Sequence, residues 1–142
     1  MPGRFLRAFS ILVLATMSVY GCPKSEKQSA SSPREVDYVQ AVKMLSSQNP
    51  PVVIDVRTPE EFNGELGHIP DARLIPMETT SDSMKVYEQF KDRDILLVCR
   101  SGRRSKIVGD ELIKAGFKKV YNLTGGMKGW IEKGGATEIS AE

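Results

Sequence analysis

Two runs, Val52-Val53-Ile54-Asp55-Val56 and Ile95-Leu96-Leu97-Val98, carry almost no polar position and do not alternate apolar with polar residues. They are too short for buried helices and rich in β-branched and aliphatic side chains, which marks strands covered on both faces. Such strands belong to parallel sheets whose connections return as helices. Segments of helical pattern lie at 37–47, 81–90 and 103–115, with weaker strand candidates at 72–76 and 119–123. The order of elements therefore gives an α/β class, a mostly parallel sheet flanked by helices. At 142 residues the chain has room for one such domain. With 40% apolar and 27% charged residues, collagen-like, disordered and multi-span membrane classes are excluded.

The first 21 residues differ from the rest. Arg4 and Arg7 are their only charges, and a thirteen-residue stretch over 8–20 follows, holding Ile11-Leu12-Val13-Leu14-Ala15. That is short of the roughly twenty residues needed to cross a bilayer core, so it reads as an export signal over 1–21. The stretch ends Val19-Tyr20-Gly21-Cys22. This is similar to the bacterial lipoprotein signal, in which a small residue precedes a cysteine that is acylated and becomes the new N-terminus. The expectation is an exported, periplasmic or cell-envelope protein held to a membrane through acylated Cys22. Residues 22–33 contain four serines and no large apolar side chain, and read as a flexible tether ahead of a domain over 34–142.

Two helix starts follow from capping chemistry. Thr58-Pro59-Glu60-Glu61 offers a hydroxyl N-cap, proline at the first helical position and a glutamate three residues after the cap. From Arg103 onward, Val108, Leu112 and Ala115 recur at helical spacing, and Gly116 is the stop.

Between strand and helix lies Cys99-Arg100-Ser101-Gly102-Arg103-Arg104-Ser105. A thiol at the carboxyl end of a central strand sits where open α/β sheets bind ligands, and a tight turn into a helix aims successive backbone N–H groups at one point. That arrangement is an anion cradle. The arginines and the helix N-terminus favour thiolate over thiol, so Cys99 is the candidate nucleophile. Three arginines and a glycine within five residues are not a requirement of core packing.

Four stretches resemble a single-domain rhodanese: Asp55-Val56-Arg57-Thr58-Pro59-Glu60-Glu61-Phe62, Gly67-His68-Ile69-Pro70-Asp71-Ala72, the cysteine loop, and Asn122-Leu123-Thr124-Gly125-Gly126-Met127-Lys128-Gly129-Trp130. Asp71 departs from the family's usual glycine. The resemblance implies a five-stranded rhodanese-like sheet and sulfur transfer through a Cys99 persulfide, from a small anionic donor such as thiosulfate to cyanide or a thiol. Arg100, Ser101, Gly102, Arg103, Arg104 and Ser105 would bind the donor, the backbone cradling the terminal sulfur and the arginines suiting the sulfonate. The related phosphatases and arsenate reductases use a longer loop with an arginine six residues after the cysteine. Here Ser105 holds that position and the arginine comes one earlier, at Arg104. Oxyanion chemistry is thus a minor alternative, beside a partner-specific sulfur carrier or binding module that needs the same thiol.

His68, the single histidine, is assigned a structural place, because an ionised thiolate needs no general base. Asp55 and Arg57 are read as a pair bracing the loop from behind, Gly125-Gly126 as a turn before a short helix, and Trp130 as a core residue. One histidine and two cysteines cannot make a four-ligand zinc site, and no metal or cofactor is expected. A net charge of +2 offers no nucleic-acid footprint, and a monomer is expected. Acylation of Cys22 would leave Cys99 without an internal disulfide partner, and an accessible low-pKa thiol is open to overoxidation.

Overall fold

The computed structural model describes residues 31–78 and 83–139. The leader over 1–21, Cys22 and most of the tether lie outside the described residues. Ten elements follow one another: β1 (Arg34–Val36), α1 (Tyr38–Leu45), β2 (Val52–Asp55), α2 (Pro59–Phe62), β3 (Arg73–Leu74), α3 (Ser83–Glu88), β4 (Ile95–Val98), α4 (Arg103–Lys114), β5 (Val120–Leu123) and α5 (Gly126–Glu132). The strands form one five-stranded sheet in the order β1-β5-β4-β2-β3, and every pairing is parallel.

The two apolar runs become neighbours at the centre, with Val53 opposite Leu96 and Ile54 opposite Leu97. Alternation along each strand divides the core into two layers. Ile95, Leu97 and Cys99 point to the side covered by α3 and α4, where Tyr87, Phe90, Leu112 and Phe117 lie. Leu96 and Val98 point the other way, with Val36, Ala41, Leu123, Met127 and Trp130. Burying a Leu or Ile side chain contributes roughly 1.5–3 kcal/mol, so both layers are needed to hold the central strands flat against their helices.

Several local expectations meet their elements with shifted ends. Thr58 caps α2 through a reciprocal box, its hydroxyl accepting from the Glu61 amide and the Glu61 carboxylate accepting from its own. Asp37 and Gln40 make the same box at the start of α1, which ends at Leu45 instead of extending to 47. The strand candidate at 72–76 shortens to Arg73–Leu74, and the helix expected over 81–90 runs Ser83–Glu88, with 81 and 82 outside the described residues. β1 had no counterpart in the sequence reading. Its three residues gain strand geometry by pairing with β5, Val36 opposite Leu123. Pro33, assigned to the tether, is buried, and its ring lies where a Cβ on Gly109 of α4 would stand. Asp71 has φ 62, which explains why a glycine suits this turn; aspartate tolerates the left-handed region better than most residues.

Candidate active site

Cys99 follows β4 directly, and Gly102 turns the chain into α4 with φ 89. A side chain at Gly102 would press on the Leu123 carbonyl at 3.0 Å, so the turn needs glycine for space as well as for its dihedral. The Gly102 amide donates to Cys99 Sγ at 3.1 Å, and Ser105 Oγ lies 3.4 Å from the same sulfur. Burial pushes the thiol pKa up, but the Ser105 hydroxyl and the amides of Ser105, Ser101 and Gly102 outweigh it and hold the pKa below the ordinary cysteine value. Of the backbone from Arg100 to Ser105 expected to form the cradle, the Gly102 amide makes the hydrogen bond to the sulfur, and the amides of Ser101 and Ser105 lie near enough to favour the thiolate. The N-terminus of the twelve-residue α4 adds its dipole to theirs. Cys99 itself is only 1% exposed, so the thiol is screened by its loop, in contrast to the open accessibility expected from the sequence.

Ser105 contributes more than its amide. Its hydroxyl sits 2.6 Å from Asn122 Oδ1, and both residues are buried. Asn122 Nδ2 donates to the Gly102 carbonyl at 3.0 Å and to the Glu35 carboxylate at 2.9 and 3.1 Å. Those acceptor-only partners fix the amide so that its oxygen faces Ser105. Asn122, on β5, thus ties the turn at Gly102 to the first turn of α4. The sequence reading assigned it no role, although a lone amide in a strand covered on both faces was the available signal.

A second support comes from α5. The amides of Met127 and Lys128 donate to the carbonyls of Cys99 and Arg100 at 2.8 and 3.1 Å. Gly125 and Gly126 have φ 80 and 54 and form the turn expected of them, and Gly126 also lies flush against the cysteine loop.

The three arginines have different surroundings. Arg100 and Arg103 are exposed, and among the described residues neither guanidinium has a hydrogen bond or ion pair. Arg104 forks onto Glu61 of α2, Nη1 to Oε2 and Nη2 to Oε1, both at 2.7 Å. The fork lowers the Glu61 pKa and raises that of Arg104. The family resemblance puts Arg104 among the donor-binding residues, whereas in the fold its Nη1 and Nη2 are engaged by a carboxylate from 43 positions upstream.

Asp55 and Arg57 pair as expected, each 1% exposed, with Nη2 to Oδ2 at 2.7 Å and Nε to Oδ1 at 2.9 Å. Their outward contacts define what the pair supports. Arg57 donates to the carbonyls of Glu61 at 3.0 Å and Gly67 at 2.7 Å, so the pair braces α2 and the Gly67 turn and is linked through Glu61 to Arg104 of the cysteine loop. His68 stacks on Phe62 at 3.6 Å, with Nδ1 3.1 Å from the Phe62 carbonyl and Nε2 3.4 Å from Glu138. Trp130 is buried, donates to the Ala136 carbonyl at 2.8 Å and tilts against Tyr38.

A thiolate ringed by donors, with no base on it, can attack a soft electrophile and hold the resulting anion. Comparison with known proteins agrees with this geometry. The Rhodanese-like domain pattern matches residues 38–133. A sulfurtransferase of Allochromatium vinosum is 35% identical over 100 residues, covering 70% of this chain and 90% of that protein. Thiosulfate sulfurtransferase 18 of Arabidopsis thaliana is 34% identical over 109 residues, covering 68% and 77%. The crystal structure of a rhodanese-like domain protein from Staphylococcus aureus superposes with a TM-score of 0.63 at 32% identity, covering 76% of this chain and 99% of that one.

Proposed function

The chain belongs to the rhodanese-like domain family, and on that footing we propose that it is a sulfurtransferase moving sulfane sulfur from a thiosulfate-like donor to a thiophilic acceptor through a persulfide on Cys99. The observation that carries this reading is the Gly102 amide donating at 3.1 Å to a buried sulfur that stands at the N-terminus of α4 and whose pKa is held down.

In the first half-reaction the Cys99 thiolate attacks the outer sulfur of thiosulfate. A new S–S bond forms, the donor's S–S bond breaks, and its electron pair leaves with sulfite. The terminal sulfur of the persulfide keeps one negative charge, which the loop amides and the α4 N-terminus stabilise. In the second half-reaction cyanide or a thiolate attacks that terminal sulfur, takes it as thiocyanate or a new persulfide, and returns Cys99 as thiolate. No proton moves in either step, so no general base is required. Arg100 and Arg103, exposed and without a hydrogen bond or ion pair on their guanidinium groups among the described residues, draw an anionic donor to the loop in this reading.

The reading extends to residues 1–33: an export leader, an acyl anchor on Cys22 and a tether that lets a monomeric domain work near a membrane in the cell envelope. What supports it is the sequence pattern at 1–22. Fractionation tests it, since Cys22→Ala moves the protein from the membrane to the soluble fraction if acylation is the anchor.

Intact mass tests the chemistry. Treating the reduced protein with thiosulfate adds about 32 Da on Cys99, and cyanide removes it as thiocyanate, as a covalent intermediate demands. Cys99→Ser folds and takes up nothing. Sulfur uptake by that variant, or none by the wild type, refutes the assignment.

A further inference from the structure

Arg104 stands in the first turn of α4 and feels the charge of Cys99, and it is the only one of the three loop arginines held by a carboxylate among the described residues. Glu61 is not a mobile partner. Its carboxylate accepts from the Thr58 amide at 3.3 Å, its own amide donates to the Thr58 hydroxyl, and its carbonyl accepts from Arg57, which is itself locked on Asp55. Glu61 and Arg104 are 24% and 26% exposed, so solvent screens the pair only in part. An anion entering the loop must either compete with a two-bonded fork or do without Arg104. The loop mouth therefore presents two uncompensated cations, Arg100 and Arg103, where the sequence contains three.

We propose that Glu61 is a specificity-determining residue: by holding Arg104 in the fork it cancels one loop charge and shifts donor preference from dianions such as thiosulfate toward singly charged sulfane donors such as an organic persulfide. The inference rests on the sulfurtransferase reading for its substrates, but its electrostatic content can be measured without sulfur transfer. Arg104 feels the charges of Glu61, Cys99 and Glu78, so a change at this position reaches the thiol. A dianion responds to a unit change of charge with twice the energy of a monoanion.

Four proteins separate this from a scaffolding role: wild type, Glu61→Gln, Arg104→Gln and the double variant. Glutamine at 61 can still complete the capping box. The local charges are 0, +1, −1 and 0. The probes are iodoacetate, an anion, and iodoacetamide, its neutral analogue; the ratio of their rates with Cys99 cancels changes in thiolate reactivity. At low salt the ratio rises about twofold in Glu61→Gln, falls about twofold in Arg104→Gln and returns to the wild-type value in the double variant, as for charges ~8 Å apart in water. The KM for thiosulfate moves in the opposite sense to the ratio, by about fivefold for the dianion, and 0.5 M salt flattens both series. A ratio that is flat, or that shifts in the same direction in all three variants, overturns the proposal. If the ratio follows charge while no protein takes sulfur from thiosulfate, the donor assignment fails and the role of Glu61 stands.

Discussion

The amide of Met127 donates to the carbonyl of Cys99 at 2.8 Å, which fastens the first turn of α5 to the residue that carries the reactive thiol. Gly126, immediately before it, has φ 54, and a Cβ there would meet the Cys99 carbonyl and stand 2.7 Å from the Ser101 amide. The loop that shapes the anion cradle is thus backed by a glycine from a different part of the chain.

Gly126→Ala therefore strains both its own backbone and the loop. Left-handed φ and overpacking each cost about 1–3 kcal/mol, so thermal or urea unfolding should register a loss of at least about 2 kcal/mol. Sulfur uptake should slow as well, because Ser101 belongs to the cradle. Wild-type stability and rate in this variant would show that the loop yields without consequence.

The pH dependence of Cys99 alkylation by iodoacetamide reads the cradle directly. The pKa is held below the ordinary cysteine value, so the rate should rise through a midpoint at lower pH than that of an unstructured cysteine peptide measured alongside. Ser105→Ala removes the hydroxyl whose one hydrogen is shared between Asn122 Oδ1, at 2.6 Å, and Cys99 Sγ, at 3.4 Å; the share that favours the thiolate is lost, which raises the pKa and moves the curve to higher pH. A midpoint that stays put would leave the backbone amides as the sole cause.

Asn122→Leu keeps an apolar strand but takes the donor away from the Gly102 carbonyl and the acceptor away from Ser105. Leaving a buried polar group unsatisfied costs about 1–3 kcal/mol, and denaturant unfolding should show it. Sulfur loading should fall too, since both ends of the cradle lose their tie. Loading at the wild-type rate would limit Asn122 to stability.

Arg57→Leu strands the Asp55 carboxylate, 1% exposed, without its cation. Breaking one side of a buried pair typically costs about 3–5 kcal/mol, so unfolding should shift strongly. At a temperature where the variant remains folded, the alkylation midpoint of Cys99 should move little, because Arg57 touches α2 and the Gly67 turn and not the cysteine loop. A large midpoint shift would reveal a link through Glu61 stronger than one carbonyl contact.

The elements that could be read from the chain are those whose cause is local. The β2 and β4 runs are apolar on both faces, Thr58 and Glu61 sit at capping spacing, and Cys99 falls between a strand and a helix pattern; each is a relation among residues a few positions apart. β1 was invisible because three residues carry no period, and pairing with β5 alone makes them a strand. The same limit hid the supports of the site. Glu61 showed its capping role, which is local, and concealed its hold on Arg104, which is not.

The sequence by itself determined a parallel α/β sheet and a thiol at the carboxyl end of its central strand, because two-sided burial and helix capping are written in neighbouring residues. Only the tertiary structure decided the partners of that thiol's surroundings. The order β1-β5-β4-β2-β3 places β5 on one side of β4, bringing Asn122 and Gly126 to the loop, and β2 on the other, where the chain continues into α2 and brings Glu61 to Arg104. Hydrogen bonds and charges act over a few ångströms of space, so their pairing depends on which strands become neighbours and not on distance along the chain.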